Sequence, residues 1–220
     1  MCPISTSAHG QEPARERHRW AWRGALYPRA STAYRHVVTR SKPSFLVVVS
    51  GVPGAGKSTV GRMIADHLDA TLLDKDDFLE TLFDRSEAPR HELSRKADEL
   101  FLAAVTHEPR AVAVSFRRRP ELSETSGTPI DRFPTDRQVV EVWCDCPVEL
   151  ARERFFSRSR HPRHGDADRN RAETLDQLRQ VAAFGPLGVG PLVRVDTALP
   201  LDPESVKRLV GLEPPDRPAR

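Results

Sequence analysis

An apolar run, Phe45-Leu46-Val47-Val48-Val49, delivers the chain to Gly51-Val52-Pro53-Gly54-Ala55-Gly56-Lys57-Ser58-Thr59, which satisfies the pattern G-x-x-x-x-G-K-[ST] in full. An uninterrupted apolar run suits a strand buried on both faces, as in parallel sheets covered by helices. The glycines let the main chain approach an anion closely, so the backbone N–H groups of the turn can wrap a phosphate. Lys57 then reaches the β and γ phosphates, and Ser58 offers its hydroxyl to Mg²⁺. The helix opening at Lys57 points its positive dipole end at the same place. Gly51, Pro53, Gly54, Ala55, Gly56, Lys57, Ser58 and Thr59 are therefore the expected phosphate-binding residues. The expected ligands are ATP and Mg²⁺, with Ser58 on the metal.

At 220 residues there is room for one α/β domain and tails. Residues 1–42 hold eight basic side chains and two acids, a net of +6, so that with +3 overall the remainder carries −3. A mildly acidic folded part favours a small phosphorylated or neutral partner, with nucleic acid the less favoured alternative. The sequence reads as a disordered basic extension over 1–42, a domain over 43–212 and a polar, Pro-rich tail over 213–220. The Arg-rich start also suits a transit peptide, or contact with RNA or a membrane surface. No apolar run reaches the roughly 18 residues of a membrane span. Cys2, Cys144 and Cys146 form neither a disulfide framework nor a metal quartet, so a reducing, cytoplasmic setting is expected.

Strand and helix signals alternate along the domain. A helix is expected at about 57–68, a short strand ending at Asp74, a helix from Phe78 to Phe83 and another over 91–106. Strands follow at 111–116 and 139–144, then a helix from Pro147 through Phe156, a further helix about Leu175–Ala182, a strand at 192–195 and a helix at 203–210. This order predicts an α/β domain with a mostly parallel five-stranded sheet covered by helices. Residues 117–136 show no clear period and are expected to form a loop over the site.

A second chemical feature is the acid cluster Asp74-Lys75-Asp76-Asp77. Parallel α/β sheets bind ligands at the C-terminal ends of their strands, which puts Asp74 and Asp76 on the edge that carries the phosphate loop. Two apart in an extended segment, they are expected to point to one side. One could hold Mg²⁺ through water while the other takes a proton from an incoming hydroxyl. Asp77 is expected to cap the helix starting at Phe78.

With Gly51–Thr59, Leu73-Asp74-Lys75-Asp76-Asp77-Phe78 and Glu149-Leu150-Ala151-Arg152-Glu153-Arg154-Phe155-Phe156-Ser157-Arg158 in view, residues 45–210 resemble the small P-loop kinases. These phosphorylate hydroxyls of small molecules or nucleic-acid ends, as chloramphenicol phosphotransferase, gluconate kinase and polynucleotide kinase do. The resemblance implies Asp76 as general base and Asp74 at the metal site, as in the D-x-D of shikimate kinase. It also implies the three-layer α/β/α fold of P-loop NTPases with a short lid, and Arg154 and Arg158 as contacts of the transferring phosphate. Four residues apart, these arginines are expected to share a helix face, with Arg160, His161, Arg163 and His164 adding positive charge where a lid would close. No Walker B aspartate follows the third strand, and the glycine triplet of shikimate kinase is missing.

Lys57, Asp76, Arg154 and Arg158 are thus the expected catalytic residues of an ATP-dependent kinase acting on a small, unidentified hydroxyl compound. The alternatives are a polynucleotide or RNA-end kinase, and a nucleotide-binding ATPase or regulatory protein without a small-molecule acceptor.

Overall fold

The computed structural model describes residues 43–114, 133–134 and 136–210, with side chains as far as Val206. The expected basic extension (1–42), most of the expected loop (117–136) with Arg117, Arg118 and Arg119, and the C-terminal tail lie outside the described residues.

Five strands form one sheet in the order β2-β3-β1-β4-β5, with every neighbouring pair parallel. They are β1 (Phe45–Ser50), β2 (Thr71–Asp74), β3 (Arg110–Val114), β4 (Gln138–Asp145) and β5 (Leu192–Asp196). Among the described residues, α-helices connect or flank them: α1 (Lys57–Leu68), α2 (Lys75–Arg85), α3 (Arg90–His107), α4 (Val148–Ser157), α5 (Arg171–Phe184) and α6 (Pro203–Val210). The third strand is described over Arg110–Val114; Ser115 and Phe116 lie outside the described residues.

The period-2 geometry of a strand divides the apolar run of β1 between two cores. Val47 and Val49 pack with Val60, Ile64 and Leu68 of α1 and with Val206 of α6. Leu46 and Val48 pack on the opposite face with Phe101, Leu102 and Val105 of α3. An all-apolar central strand is therefore what a three-layer sandwich requires, and its C-terminal end opens between the two helical layers.

Distant arginines satisfy the carbonyls that helix ends leave orphaned. Arg110 donates to the Leu68 carbonyl at the end of α1 and lies over the Phe45 ring, 4.6 Å from its centroid. Arg137 donates to the carbonyls of Thr106 (3.0 Å) and Glu108 (2.6 Å), closing α3. Arg163 does the same for α2, through Phe83 O (2.9 Å) and Ala88 O (2.7 Å). Cations at helix C-termini also complement the macrodipole.

The helix after β2 differs from the reading Phe78–Phe83. It begins at Lys75, because the Asp74 carboxylate accepts the Asp76 N–H at 3.1 Å and caps it. Asp74, not Asp77, is the N-cap. Asp76 therefore lies in the first helical turn and is not in an extended segment with Asp74.

Helix α1 meets the sheet through Gly61, where an added Cβ would stand 2.5 Å from Val114 Cγ2 and 3.3 Å from Leu72 Cδ1. Gly61→Val should overpack this contact and cost about 1–3 kcal/mol. Thermal unfolding should show a midpoint lower by several degrees, and an unchanged midpoint would mean that the helix stands off the sheet.

Candidate functional site

The turn after β1 is shaped by contact with α4. Gly54 has φ +85°, and a Cβ there would lie 2.1 Å from the Ala151 carbonyl oxygen, so only glycine fits between loop and helix. The Ala55 N–H donates to Val52 O at 3.1 Å and tightens the turn. Gly56 begins α1 with left-handed backbone and no side-chain cap. The positive end of α1 thus points into the turn, where its first amides would meet an anion. Pro53 lies in the turn, and Thr59 is exposed in the first helical turn.

Lys57 folds back over this loop, its Nζ donating to Val52 O at 2.9 Å. Burial pushes its ammonium down to about 8, partly offset by the charges of Asp76 and Asp74. A buried cation with a depressed pKa is a group whose charge an anion would restore. Ser58, one residue on, donates its hydroxyl to Asp74 Oδ2 at 2.6 Å. Burial raises the Asp74 carboxyl above its usual range, against the pull of Ser58. A hydroxyl and a carboxylate in direct contact are hard oxygen donors of the type Mg²⁺ takes. The loop amides, Lys57 and the Ser58–Asp74 pair therefore fit a magnesium-bound triphosphate.

The two expected phosphate-contacting arginines separate. Helix α4 stops at Ser157, and Arg158 continues in extended conformation, so it does not share a helix face with Arg154. Arg154 donates to Thr197 O at 2.7 Å, just beyond β5. Arg158 turns the other way: it contributes to the electrostatics of Lys57, pairs with Asp166 Oδ2 at 3.4 Å and stacks 4.5 Å over the Phe155 ring. Its Nε is buried without a hydrogen-bond partner among the described residues, a donor that an anion could take up. Burial, then the neighbouring Arg160, lowers the Arg158 pKa.

The basic segment after α4 is docked rather than loose. Arg160 pairs with Asp76 Oδ2, with Asp166 Oδ2 at 3.1 Å and with Glu80 Oε1 at 3.9 Å. His164, buried in a 3₁₀ turn over Pro162–His164, meets Glu80 Oε1 at 2.8 Å, and His161 meets Asp84 Oδ1 at 3.4 Å. Burial, helped by Arg160, lowers the His164 pKa and favours neutral imidazole. Arg163 lies 4.9 Å over the Phe83 ring while capping α2. Arg160 was expected only as part of the lid's positive charge, and its carboxylate partner Glu80 was not expected at the site. The signal was present, since Asp76, Glu80 and Asp84 recur every fourth residue and form one acidic ridge on α2.

Cys144, at the end of β4, is buried beside this site, and burial pushes its thiol up to about 12. Its thiolate, the reactive form, is scarce at neutral pH. Cys146 is partly exposed.

Residues 46–120 match the sequence model of a family described as an AAA domain. A comparison with curated proteins finds no match. Among solved structures, the chain is similar to a provisionally assigned kinase from Chloroflexus aurantiacus, with 23% identity and a TM-score of 0.54 over 77% of this chain and 94% of that one. Shikimate kinase from Acinetobacter baumannii, in complex with shikimate, matches at 18% identity and TM-score 0.49, over 77% and 89% of the chains. A gluconokinase from Sinorhizobium meliloti matches at 19% identity and TM-score 0.45, over 76% and 89%.

At pH 8.5, a thiol-alkylating reagent should label Cys146 in the native protein and spare Cys144 until denaturant is added. Peptide mass spectrometry reads this out, and equal native labelling of both would contradict the burial of Cys144 against the loop. With its glycine-rich loop at the end of the central strand of an all-parallel sheet, the chain has the P-loop fold of the small kinases it resembles.

Proposed function

We propose that this protein is an ATP-dependent phosphotransferase that moves the γ-phosphate of ATP to a hydroxyl of a small molecule. The observation that carries this reading is the 2.6 Å hydrogen bond from Ser58 to Asp74, which joins the phosphate loop to the D-x-D segment of β2 and α2. Lys57 feels the charges of both Asp74 and Asp76, so one site contains groups for phosphate, metal and proton. The likeness in fold to a provisionally assigned kinase adds support.

In this mechanism backbone N–H groups of the glycine-rich turn hold the β-phosphate, and Lys57 leaves Val52 O to bridge β and γ oxygens. Ser58 and Asp74 would hold Mg²⁺, Asp74 through water; the ion, when bound, neutralises charge on the phosphate oxygens. Arg158 supplies a guanidinium to the charge that spreads over the γ-phosphoryl oxygens as transfer proceeds. Arg154, anchored at Thr197 O, acts from the β5 side of the loop. Asp76 accepts the proton of the acceptor hydroxyl once Arg160 has released it.

A small acceptor is favoured over a polyanion by the pairing of the lid. Arg160 pairs with Asp76, Asp166 and Glu80, and Arg158 with Asp166, so carboxylates offset much of the positive charge there. A reducing, cytoplasmic setting agrees with the free thiols Cys144 and Cys146. Among the described residues no helix is long and apolar enough to cross a membrane.

The two carboxylates should fail differently. Asp76→Asn keeps shape and nucleotide site but removes the base, so phosphorylation of an acceptor found by screening for ADP release should fall by about 10²-fold. Excess Mg²⁺ should not restore it. Asp74→Asn should raise the Mg²⁺ needed for half-maximal rate and be partly rescued by excess metal. Near wild-type rates in both would reduce the D-x-D to a capped turn and remove the kinase reading's main support beyond the loop.

A further inference from the structure

Glu141 is an acid in the wrong place for a strand of this kind. It sits in β4 between Val140 and Val142, opposite Val48 of β1, with no exposed surface at all. Burying a carboxylate costs several kcal/mol unless donors surround it. Three do. Oε1 accepts the Ser50 hydroxyl at 2.5 Å and the Leu187 N–H at 2.7 Å, while Oε2 accepts the Gly188 N–H at 2.8 Å. The Glu141 backbone N–H adds a fourth tie, donating to Pro191 O at 2.9 Å.

These partners belong to two segments that need to be held. Ser50 is the last residue of β1 and leads directly into the phosphate loop. Leu187 and Gly188 belong to the connection between α5 and β5, which closes so tightly on β4 that a Cβ on Gly190 would stand 2.5 Å from Val139 O. Ser50, Gly51, Trp143, Phe184 and Leu187 line a cleft between them. A hydrophobic residue at 141 would suit the strand but leave the Ser50 hydroxyl and two backbone amides without this acceptor.

We propose that Glu141 is a positioning residue for the phosphate loop, tying Ser50 to the 185–191 connection so that the turn after β1 leaves the sheet at a fixed angle. The proposal rests on the reading of 51–59 as a phosphate loop. Its consequence is that nucleotide affinity depends on a carboxylate that touches no nucleotide.

The test compares the full-length wild type with Glu141→Gln and Ser50→Ala, by amide hydrogen exchange and by calorimetric titration with Mg-ATP well below the melting temperature. Glutamine offers one oxygen and turns an NH₂ toward an N–H donor. Residues 185–191 should then exchange at least about tenfold faster, and the Mg-ATP Kd should rise about three- to tenfold. Ser50→Ala should weaken Mg-ATP less, leaving 185–191 protected. A lower melting temperature with unchanged Mg-ATP affinity in Glu141→Gln would show a structural role only and overturn the proposal. Should that variant not fold, unchanged affinity in Ser50→Ala overturns it equally. A wild type that does not bind Mg-ATP would instead overturn the reading of the loop itself.

Discussion

The burial of β1 on both faces is the constraint on which the rest of the domain depends. Because Leu46 and Val48 face α3 while Val47 and Val49 face α1, helices must cover both sides of the sheet. The strand then ends between those layers. Its next residues cannot continue the sheet, and they turn through glycines against α4. The site is thus a product of packing: the same apolar run that forms the core fixes where the phosphate loop emerges.

Electrostatics organises what surrounds that loop. One acidic ridge on α2, Asp76, Glu80 and Asp84, receives Arg160, His164 and His161 from the segment after α4. Arg160 and Asp166 are both largely buried, which makes their pair stronger than exposed ones and costlier to leave half-made. The lid is therefore held on α2 in part by Asp76, the carboxylate proposed as the base. For Asp76 to meet a hydroxyl, Arg160 has to exchange one anion for another, and a triphosphate offers the alternative.

What could be read in the sequence was what is local. The strand, the glycine turn, Lys57 and Ser58 are contiguous, and their geometry follows from neighbouring residues. Asp74 was legible as a site residue because strand ends in a parallel sheet share one edge. Its second role as N-cap was not, since a D-x-D-D run permits a cap at more than one position and one hydrogen bond decides it. Arg154 and Arg158 looked equivalent at a spacing of four until the helix ended between them. Glu141 was hidden for the opposite reason. It interrupts a Val-Val-Glu-Val-Trp strand, and its reasons lie at Ser50, Leu187 and Gly188, far away in the chain.

The central claim is that residues 51–59 cradle a triphosphate through backbone amides and Lys57. Calorimetric titration of Mg-ATP into the wild type and into Lys57→Ala tests it most directly, with thermal unfolding run on both. The account predicts saturable binding to the wild type and, in a variant that melts at the same temperature, affinity weakened by at least about tenfold, the loss of charge-assisted hydrogen bonds to phosphate. Equal affinity in the two proteins, or no binding to the wild type, would contradict it.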